Sequence, residues 1–306
     1  MIIVFINSFV AKFIPNDKKI MTSAIITAAY NVGAALVAIL FLLFKEHFVE
    51  DWRYTMIGFS IFSIILFICW LIFSHDFEPT ITWKHPNYFV YKLLIESKET
   101  LHEEDAKKYT YADGFKDKFI YVFSLGFGGF LFLYVMPLVS LPRVVAEHAH
   151  NTSFKPEFMI LTVTLGGIIG TLFSLMVTRK LNFRRKPFLI AHGVLMIGFM
   201  ALGLVFVSTN VVLSYVMFSL SGFFMYSQYP VYLNLPYELP NMNSQRLTIM
   251  FGIFWAFGYA IYTLFNFTWS LVLNHMGYNS SIIFYLLGSL IYIIFVFTFP
   301  ETRPKK

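Results

Sequence analysis

Apolar runs of membrane-spanning length make up most of the chain, and one polar segment divides them. A helix needs about 20 predominantly apolar residues to cross the hydrocarbon core of a bilayer. We predict nine apolar segments, the first of them short: 2–14, 21–44, 54–74, 119–141, 157–177, 187–206, 211–233, 247–273 and 281–299. The long polar segment is 75–118, so the order is three apolar segments, a loop and six more.

Composition agrees with a membrane location. The 306 residues are 58% hydrophobic and only 13% charged, whereas soluble domains are about 25% charged. The pattern therefore predicts an all-α integral membrane protein with the lipid bilayer as its main partner. The net charge of +6 does not indicate nucleic acid binding, because the basic residues lie in the gaps between apolar segments.

The basic residues also predict an orientation. If the nine segments cross alternately, 19 of the 23 Lys and Arg residues fall on one side and 4 on the other. The side richer in Lys and Arg is normally cytoplasmic. We therefore predict a multi-pass protein of the plasma membrane, with 75–118 and the C-terminus in the cytoplasm.

Short motifs in this order resemble the major facilitator superfamily of transporters. Residues 13–19 (FIPNDKK) are similar to the W-F-P-x-x-x-R-type loop between helices 4 and 5 of that family, and 30–35 (YNVGAA) to its N-x-G-A stretch. DWR at 51–53 and PETR at 300–303 look like the entry to helix 6 and the end of helix 12. Residues 180–186 (KLNFRRK) keep only the basic end of the loop between helices 8 and 9.

The resemblance implies a fold and a function. The chain would be a major-facilitator-like bundle of about nine transmembrane helices: a partial N-terminal bundle at 1–74 (helices 4–6), a central cytoplasmic loop at 75–118 and a six-helix bundle at 119–306. Helices 1–3 look absent, as in a truncated, split or mis-started gene product; a genuine nine-helix protein is the alternative. The implied activity is secondary transport of a small solute by alternating access.

The candidate solute site is neutral and largely aromatic. Tyr259, Tyr262 and Asn266 follow i, i+3, i+7 spacing and so share a helix face, with Trp255 one turn earlier. The full set of candidate binding residues is Asn31, Tyr134, Tyr226, Gln228, Trp255, Tyr259, Tyr262 and Asn266. The alternative is that they are interfacial aromatics or helix-packing polar residues. Carriers of multiply charged anions in that superfamily typically have an arginine on helix 7, and the corresponding segment 119–141 has no charged residue, so the resemblance favours a neutral or singly charged solute.

Four residues are candidates for conformational roles. Pro230 interrupts a predicted helix and could let it bend. By the resemblance, Arg184 or Arg185 would pair with Asp17 when the cytoplasmic side is closed; serving only as topology anchors is the alternative.

The sequence does not favour enzymatic chemistry. The cluster EHAH at 147–150 offers two histidines, His148 and His150, at i, i+2 spacing beside Glu147, but no third defined ligand. We therefore predict no metal site, no cofactor and no catalytic residue. The alternatives to a transporter are a non-transporting membrane remnant or scaffold, and an integral membrane enzyme, for which His-Glu-x-x-His and Gly-x-Ser-x-Gly are missing. The solute and the coupling ion stay unassigned.

Overall fold

The architecture is helical throughout the part of the chain described by the structure, a computed structural model that describes residues 10, 19–44, 50–73, 109–148, 153–180, 183–240, 242 and 244–302. A short 3₁₀ turn, Met136–Leu138, follows the fourth helix. The α-helices are α1 (Lys19–Leu43), α2 (Trp52–Phe73), α3 (Tyr111–Lys116), α4 (Lys118–Val135), α5 (Leu141–His148), α6 (Pro156–Lys180), α7 (Arg185–Phe206), α8 (Val211–Glu238) and α9 (Ser244–Thr298).

Seven of the described helices are long and apolar enough to cross a membrane. The last, α9, has 55 residues, which at 1.5 Å per residue is about 80 Å, more than twice a hydrocarbon core. The chain turns at Gly277, which has a φ of 83°. Glycine adopts such a positive φ at little energetic cost because it has no Cβ. The two limbs of α9 are therefore the predicted segments 247–273 and 281–299.

The prediction of an all-α membrane bundle is confirmed, but the count of nine spans is not established. Segments 21–44 and 54–74 correspond to α1 and α2, and 157–177 and 187–206 correspond to α6 and α7. Apart from Val10, the first segment lies outside the described residues.

Two other helix ends differ from the sequence prediction. The segment 119–141 breaks early, because α4 ends at Val135 and the chain passes through Pro137 into the separate helix α5. Conversely, α8 continues beyond residue 233 to Glu238 with Pro230 and Pro236 inside it. Proline leaves a backbone carbonyl of its own helix without a donor, and inside a membrane a neighbouring helix can supply the missing hydrogen bond.

The chain divides into two compact units, Met1–Leu42 with Thr110–Lys306, and Leu43–Tyr109. The second unit contains α2, and none of the 18 residues of its apolar span is buried. Such a helix suits hydrocarbon as its surroundings. The first unit contains α1 and α3–α9. The predicted division at 1–74, 75–118 and 119–306 stays a prediction.

Glycines bring α6 and α8 into close contact within the first unit. A Cβ at Gly170 would overlap the backbone carbonyl of Phe223, and one at Gly222 would overlap the carbonyl of Val163. Small residues at such positions let two membrane helices approach until their backbones touch. The close contact between α6 and α8 therefore requires glycine at these positions, because a side chain at either one would push the two backbones apart.

The helices of the first unit have two distinct ends. Arg185 contacts Glu238 and Glu301, so the start of α7 meets the ends of α8 and α9; this side is named the Arg185 end. At the opposite side, named the Gly277 end, the backbone N–H of Lys155 donates to the Tyr215 hydroxyl at 2.7 Å. That contact joins the regions where α6 and α8 begin.

Candidate functional site

An aromatic column runs along one face of α4. Its five rings are spaced three or four residues apart, which places them on the same side of the helix. The Phe119 and Phe123 centroids are 5.4 Å apart, and those of Phe130 and Tyr134 are 5.7 Å apart. The column consists of Phe119, Phe123, Phe127, Phe130 and Tyr134.

Two tyrosines of α8 pack against this column. Tyr232 stacks on Phe123 with centroids 4.6 Å apart, and its hydroxyl donates to the Phe123 carbonyl at 2.6 Å. Tyr229 stacks on Phe130 at 5.5 Å with the rings 3° from parallel. Stacked rings contribute about 0.5–1.5 kcal/mol each beyond their buried area. The column is therefore a rigid wall fixed between α4 and α8.

Tyr134 and Tyr226, both predicted site residues, meet at the Gly277 end of this wall. Their rings cross edge to face with centroids 5.1 Å apart. Tyr226 fits there because Gly167 of α6 has no side chain; a Cβ would overlap the ring. Tyr30 of α1 stacks on Tyr134 at 6.1 Å. Tyr30 directly precedes Asn31 in the sequence but was not among the predicted binding residues.

The predicted helix face of α9, which carries Trp255, Tyr259, Tyr262 and Asn266, contacts the aromatic column through Trp255. The Trp255 ring stands edge-on to Phe127 at 5.0 Å and stacks on Tyr259 at 5.7 Å. Trp255 is 4% exposed, and its indole N–H has no hydrogen-bond acceptor within the described part of the chain. Tyr262 and Asn266 lie one and two turns further along α9 and are half-buried.

Asn31 is a second buried polar group without a partner. It is fully buried in the middle of α1, and among the described residues neither atom of its amide group makes a hydrogen bond. Its neighbours on the buried face of α1 are small, namely Ala24, Thr27 and Ala35. Leaving a buried polar group unsatisfied costs about 1–3 kcal/mol. Buried polar groups without a partner are uncommon in protein interiors.

Gln228 has a different environment. It is fully buried, its Nε2 donates to the Met196 Sδ at 2.8 Å, and its Oε1 accepts from the Tyr292 hydroxyl at 2.7 Å. Both ends of the amide are therefore engaged inside the helical bundle. This geometry favours a packing role for Gln228, and Tyr292 is the partner that sequence reasoning did not identify.

Charged residues lie near the helix ends. In the described spans, Asp, Glu, Lys and Arg occur only within about two turns of a terminus. The walls around the aromatic column are thus uncharged, and their hydrogen-bonding groups are hydroxyl, indole and amide. Such a surface can bind an uncharged polar molecule through hydrogen bonds and ring contacts.

At the Arg185 end, a carboxylate and a guanidinium form a partly buried pair. Arg185 donates from Nη2 and Nε to Glu238 Oε1 at 2.8 and 3.1 Å, and its backbone N–H donates to Glu301 at 2.8 Å. Asn234 Nδ2 and the Thr302 hydroxyl also donate to Glu238, at 3.0 and 2.6 Å. This Arg185 cluster joins α7, α8 and the end of α9.

Two of the other residues predicted to act in conformational change, Arg184 and Pro230, lie within the described part of the chain. Arg184 is exposed at the N-cap of α7, and Pro230 is buried within α8 beside Tyr229. Asp17 lies outside the described residues, so its pairing with Arg184 or Arg185 stays a prediction. A second ion pair at the Arg185 end joins Arg246 Nη2 to Asp117 Oδ2 at 3.1 Å.

No group of three metal-ligating side chains occurs in the described ranges. Glu147 instead accepts from Arg143 Nε at 2.7 Å, and the His148 ring stacks on Tyr278 at 5.1 Å. His150 lies outside the described residues. Glu147 and His148 therefore help to arrange α5 and its contact with the turn of α9.

Comparison with known proteins identifies the class. The family model of the Mycoplasma MFS transporter matches residues 1–274. An uncharacterized protein of Mesomycoplasma hyopneumoniae (strain J) is 22% identical over 322 residues, which cover 95% of this chain and 63% of that protein. A crystal structure of a D-xylose-proton symporter superposes with a TM-score of 0.61 at 19% identity, over 97% of this chain and 67% of the symporter.

This protein is therefore a multi-pass helical membrane protein with a transporter fold. The chain belongs to the Mycoplasma MFS transporter family. The predicted resemblance to the major facilitator superfamily is thereby confirmed, and family and fold point to a transporter rather than an enzyme. The chain spans 63% of the length of its Mesomycoplasma relative.

Proposed function

We propose that the chain serves secondary active transport of a small neutral or singly charged solute, bound beside the aromatic column and exposed alternately to the two sides of the membrane. The observation that carries this proposal is that two of the candidate binding residues, Asn31 and Trp255, have buried polar groups without a partner among the described residues. A solute with hydrogen-bond donors and acceptors would satisfy both. Tyr134, Tyr226 and Tyr259 would form the ring surfaces around it.

The lack of mid-span charge supports an uncharged or singly charged solute. A multiply charged anion would need a cationic partner to replace its hydration, and the described spans carry Lys and Arg only near their ends. Tyr262 and Asn266 would face the solute as it approaches from the Gly277 end. Asn31 and Trp255 are placed in the site because their buried polar groups lack partners among the described residues, which is rare in protein interiors.

The Arg185 cluster and Pro230 would serve the conformational change. The cluster connects α7, α8 and the end of α9 by hydrogen bonds at one side of the bundle. The solute site would open to that side of the membrane when these bonds break and close to it when they form. Pro230 lacks the N–H that would fix the α8 backbone, so α8 can bend beside Tyr229. Pairing of Arg184 or Arg185 with Asp17 would add a contact to α1 in the closed state.

We place the Arg185 end in the cytoplasm and the protein in the cell membrane. The support is the excess of basic residues on that side of the predicted spans. The placement is testable in a C69S background with single cysteines, K116C or R143C, and a membrane-impermeant maleimide. We expect R143C to react in intact cells and K116C only after permeabilisation; the reverse pattern would invert the orientation.

Transport itself is tested by uptake into proteoliposomes that contain the purified chain. The panel is a pentose, a hexose, a nucleoside, a monocarboxylate and a sugar phosphate, each with and without an imposed proton or sodium gradient. A proton gradient is the first choice, because the structural neighbour is a proton symporter. We expect saturable uptake of one uncharged or singly charged solute. Uptake of the sugar phosphate would contradict the charge argument, and no uptake by folded protein would favour a scaffold.

A further inference from the structure

The Gly277 end of α4 stops at a proline. Pro137 lies in the 3₁₀ turn that follows α4 and is buried. Proline has no N–H, so the carbonyl of Leu133, four residues earlier, loses the donor that a continuing helix would provide. Inside a bilayer no bulk water can replace that donor, and an unsatisfied carbonyl is costly.

The Tyr285 hydroxyl fills this role. It donates to the Leu133 carbonyl oxygen at 2.9 Å from the second limb of α9, 152 positions away in the sequence. Tyr285 is fully buried, and its ring stands edge-on to Phe132 at 5.4 Å. A side chain from another helix thus takes the place of the N–H that Pro137 lacks.

A comparison within α4 shows why this bond differs from others. The Tyr232 hydroxyl also donates to a carbonyl of α4, that of Phe123, at 2.6 Å. Four residues after Phe123 stands Phe127, which has an N–H of its own, so that carbonyl has two donors. The Leu133 carbonyl has no intrahelical donor of this type, and it directly precedes Tyr134 in the solute site.

We infer that Tyr285 is a positioning residue for the solute site. Its hydrogen bond to the Leu133 carbonyl holds the Gly277 end of α4 at the orientation that presents the Tyr134 ring to Tyr226 and Tyr30. The inference rests on the proposed function, because a positioned Tyr134 matters only if a solute binds there. The contact itself does not depend on transport and can be measured separately.

The first test is a double-mutant cycle on solute uptake. Tyr285→Phe removes only the hydroxyl, and we expect KM to rise about tenfold with Vmax little changed, the size of one unsatisfied buried carbonyl. Pro137→Ala returns an N–H to the position facing Leu133, so Y285F combined with P137A should recover KM to within about threefold of wild type. Equal KM values for Y285F and wild type, or no recovery in the double variant, would overturn the inference.

The control is Ser214→Ala. The Ser214 hydroxyl is buried and donates to the Gly203 carbonyl at 2.8 Å, at the same end of the bundle but between α8 and α7. Loss of one buried hydroxyl bond should lower the thermal stability of S214A about as much as that of Y285F, while KM stays unchanged and P137A gives no recovery. A KM increase of the same size in S214A would assign Tyr285 a general stabilising role only.

The second test needs no transport. Hydrogen–deuterium exchange of peptides covering residues 131–139, in nanodiscs, should be faster in Y285F and return toward wild type in Y285F with P137A. If exchange follows this pattern but the wild type takes up no solute, the proposed function fails and the backbone contact stands. Should Y285F not accumulate, accumulation of the P137A double variant supports the inference, and failure of both variants overturns it.

Discussion

Arg185 and Glu238 form a bidentate ion pair between the first turn of α7 and the last turn of α8. Nη2 and Nε of Arg185 lie 2.8 and 3.1 Å from Oε1 of Glu238. The side chains are 10% and 15% exposed, so the pair is largely removed from solvent. Because α7 and α8 run in opposite directions, this pair closes their shared end, where Glu301 and Thr302 also arrive.

Neutralising Glu238 should destabilise the protein strongly. Glu238→Gln leaves the Arg185 guanidinium buried without its carboxylate, and removing one partner of a buried pair typically costs about 3–5 kcal/mol. Thermal unfolding of purified protein in detergent measures the effect. The matched control is Glu147→Gln, because the Arg143–Glu147 pair is 84% and 51% exposed and solvent screens the attraction in such pairs, so their loss has little effect on stability. Equal effects of the two substitutions would contradict this assignment.

A methyl group at Gly222 should separate α6 from α8. The added Cβ would overlap the Val163 carbonyl, and overpacking of this kind costs about 1–3 kcal/mol. Gly198→Ala provides the control, since a Cβ at Gly198 meets nothing within 4 Å; there alanine should be neutral or stabilising by up to about 1 kcal/mol. We expect G222A to lower the melting temperature and G198A not to. The opposite order would mean that the helices are not in backbone contact.

Replacing Asn31 should lower solute uptake without lowering the thermal stability of the protein. Asn31→Leu removes an unsatisfied buried amide while keeping similar volume, so the melting temperature should rise or stay constant. Solute uptake should fall, because the solute loses its hydrogen-bond partner. Thr27→Val is the control on the same buried face; the Thr27 hydroxyl already bonds the Ser23 carbonyl at 2.8 Å, so uptake should persist. Unchanged uptake in N31L would remove Asn31 from the site.

Trp255 and Trp269 allow a matched comparison of two buried indoles. Each is 4% exposed and each indole N–H lacks an acceptor among the described residues, but Trp255 stands against the aromatic column at Phe127. We expect Trp255→Phe to lower solute affinity about tenfold, the value of one hydrogen bond to a solute. Trp269→Phe should leave affinity unchanged. If both variants lose affinity equally in uptake assays, the effect comes from general packing.

The helical class and most spans could be predicted because they depend on local composition. Apolar runs of membrane length predicted α1, α2, α6 and α7 within a few residues at each end. The break after Val135 was not predicted, because Pro137 lies within an apolar run and the sequence does not show whether another helix will support the freed carbonyl. The opposite error occurred in α8: the predicted segment stops at residue 233, whereas the helix continues through Pro236 to Glu238.

The candidate site was predicted only in part. The spacing of Trp255 and Tyr259 on α9 was visible, and both contact each other beside the column. The aromatic repeat of α4 has the same helical spacing and could have been found by that criterion. The contact of Arg185 with Glu238 could not be predicted, since Glu238 is 53 positions away. The pairing with Asp17 stays a prediction.

The sequence by itself determined that this protein is a helical membrane protein, where its main spans lie and that their middle sections carry little charge. Those properties follow from the free energy of moving each side chain from water to hydrocarbon, which depends on residue type and local order. The tertiary structure alone decided which polar groups are satisfied. Gln228 acquires two partners, the Leu133 carbonyl acquires Tyr285, and Asn31 and the Trp255 indole acquire none among the described residues. Hydrogen bonds between distant helices depend on positions in space, and local sequence does not specify those positions.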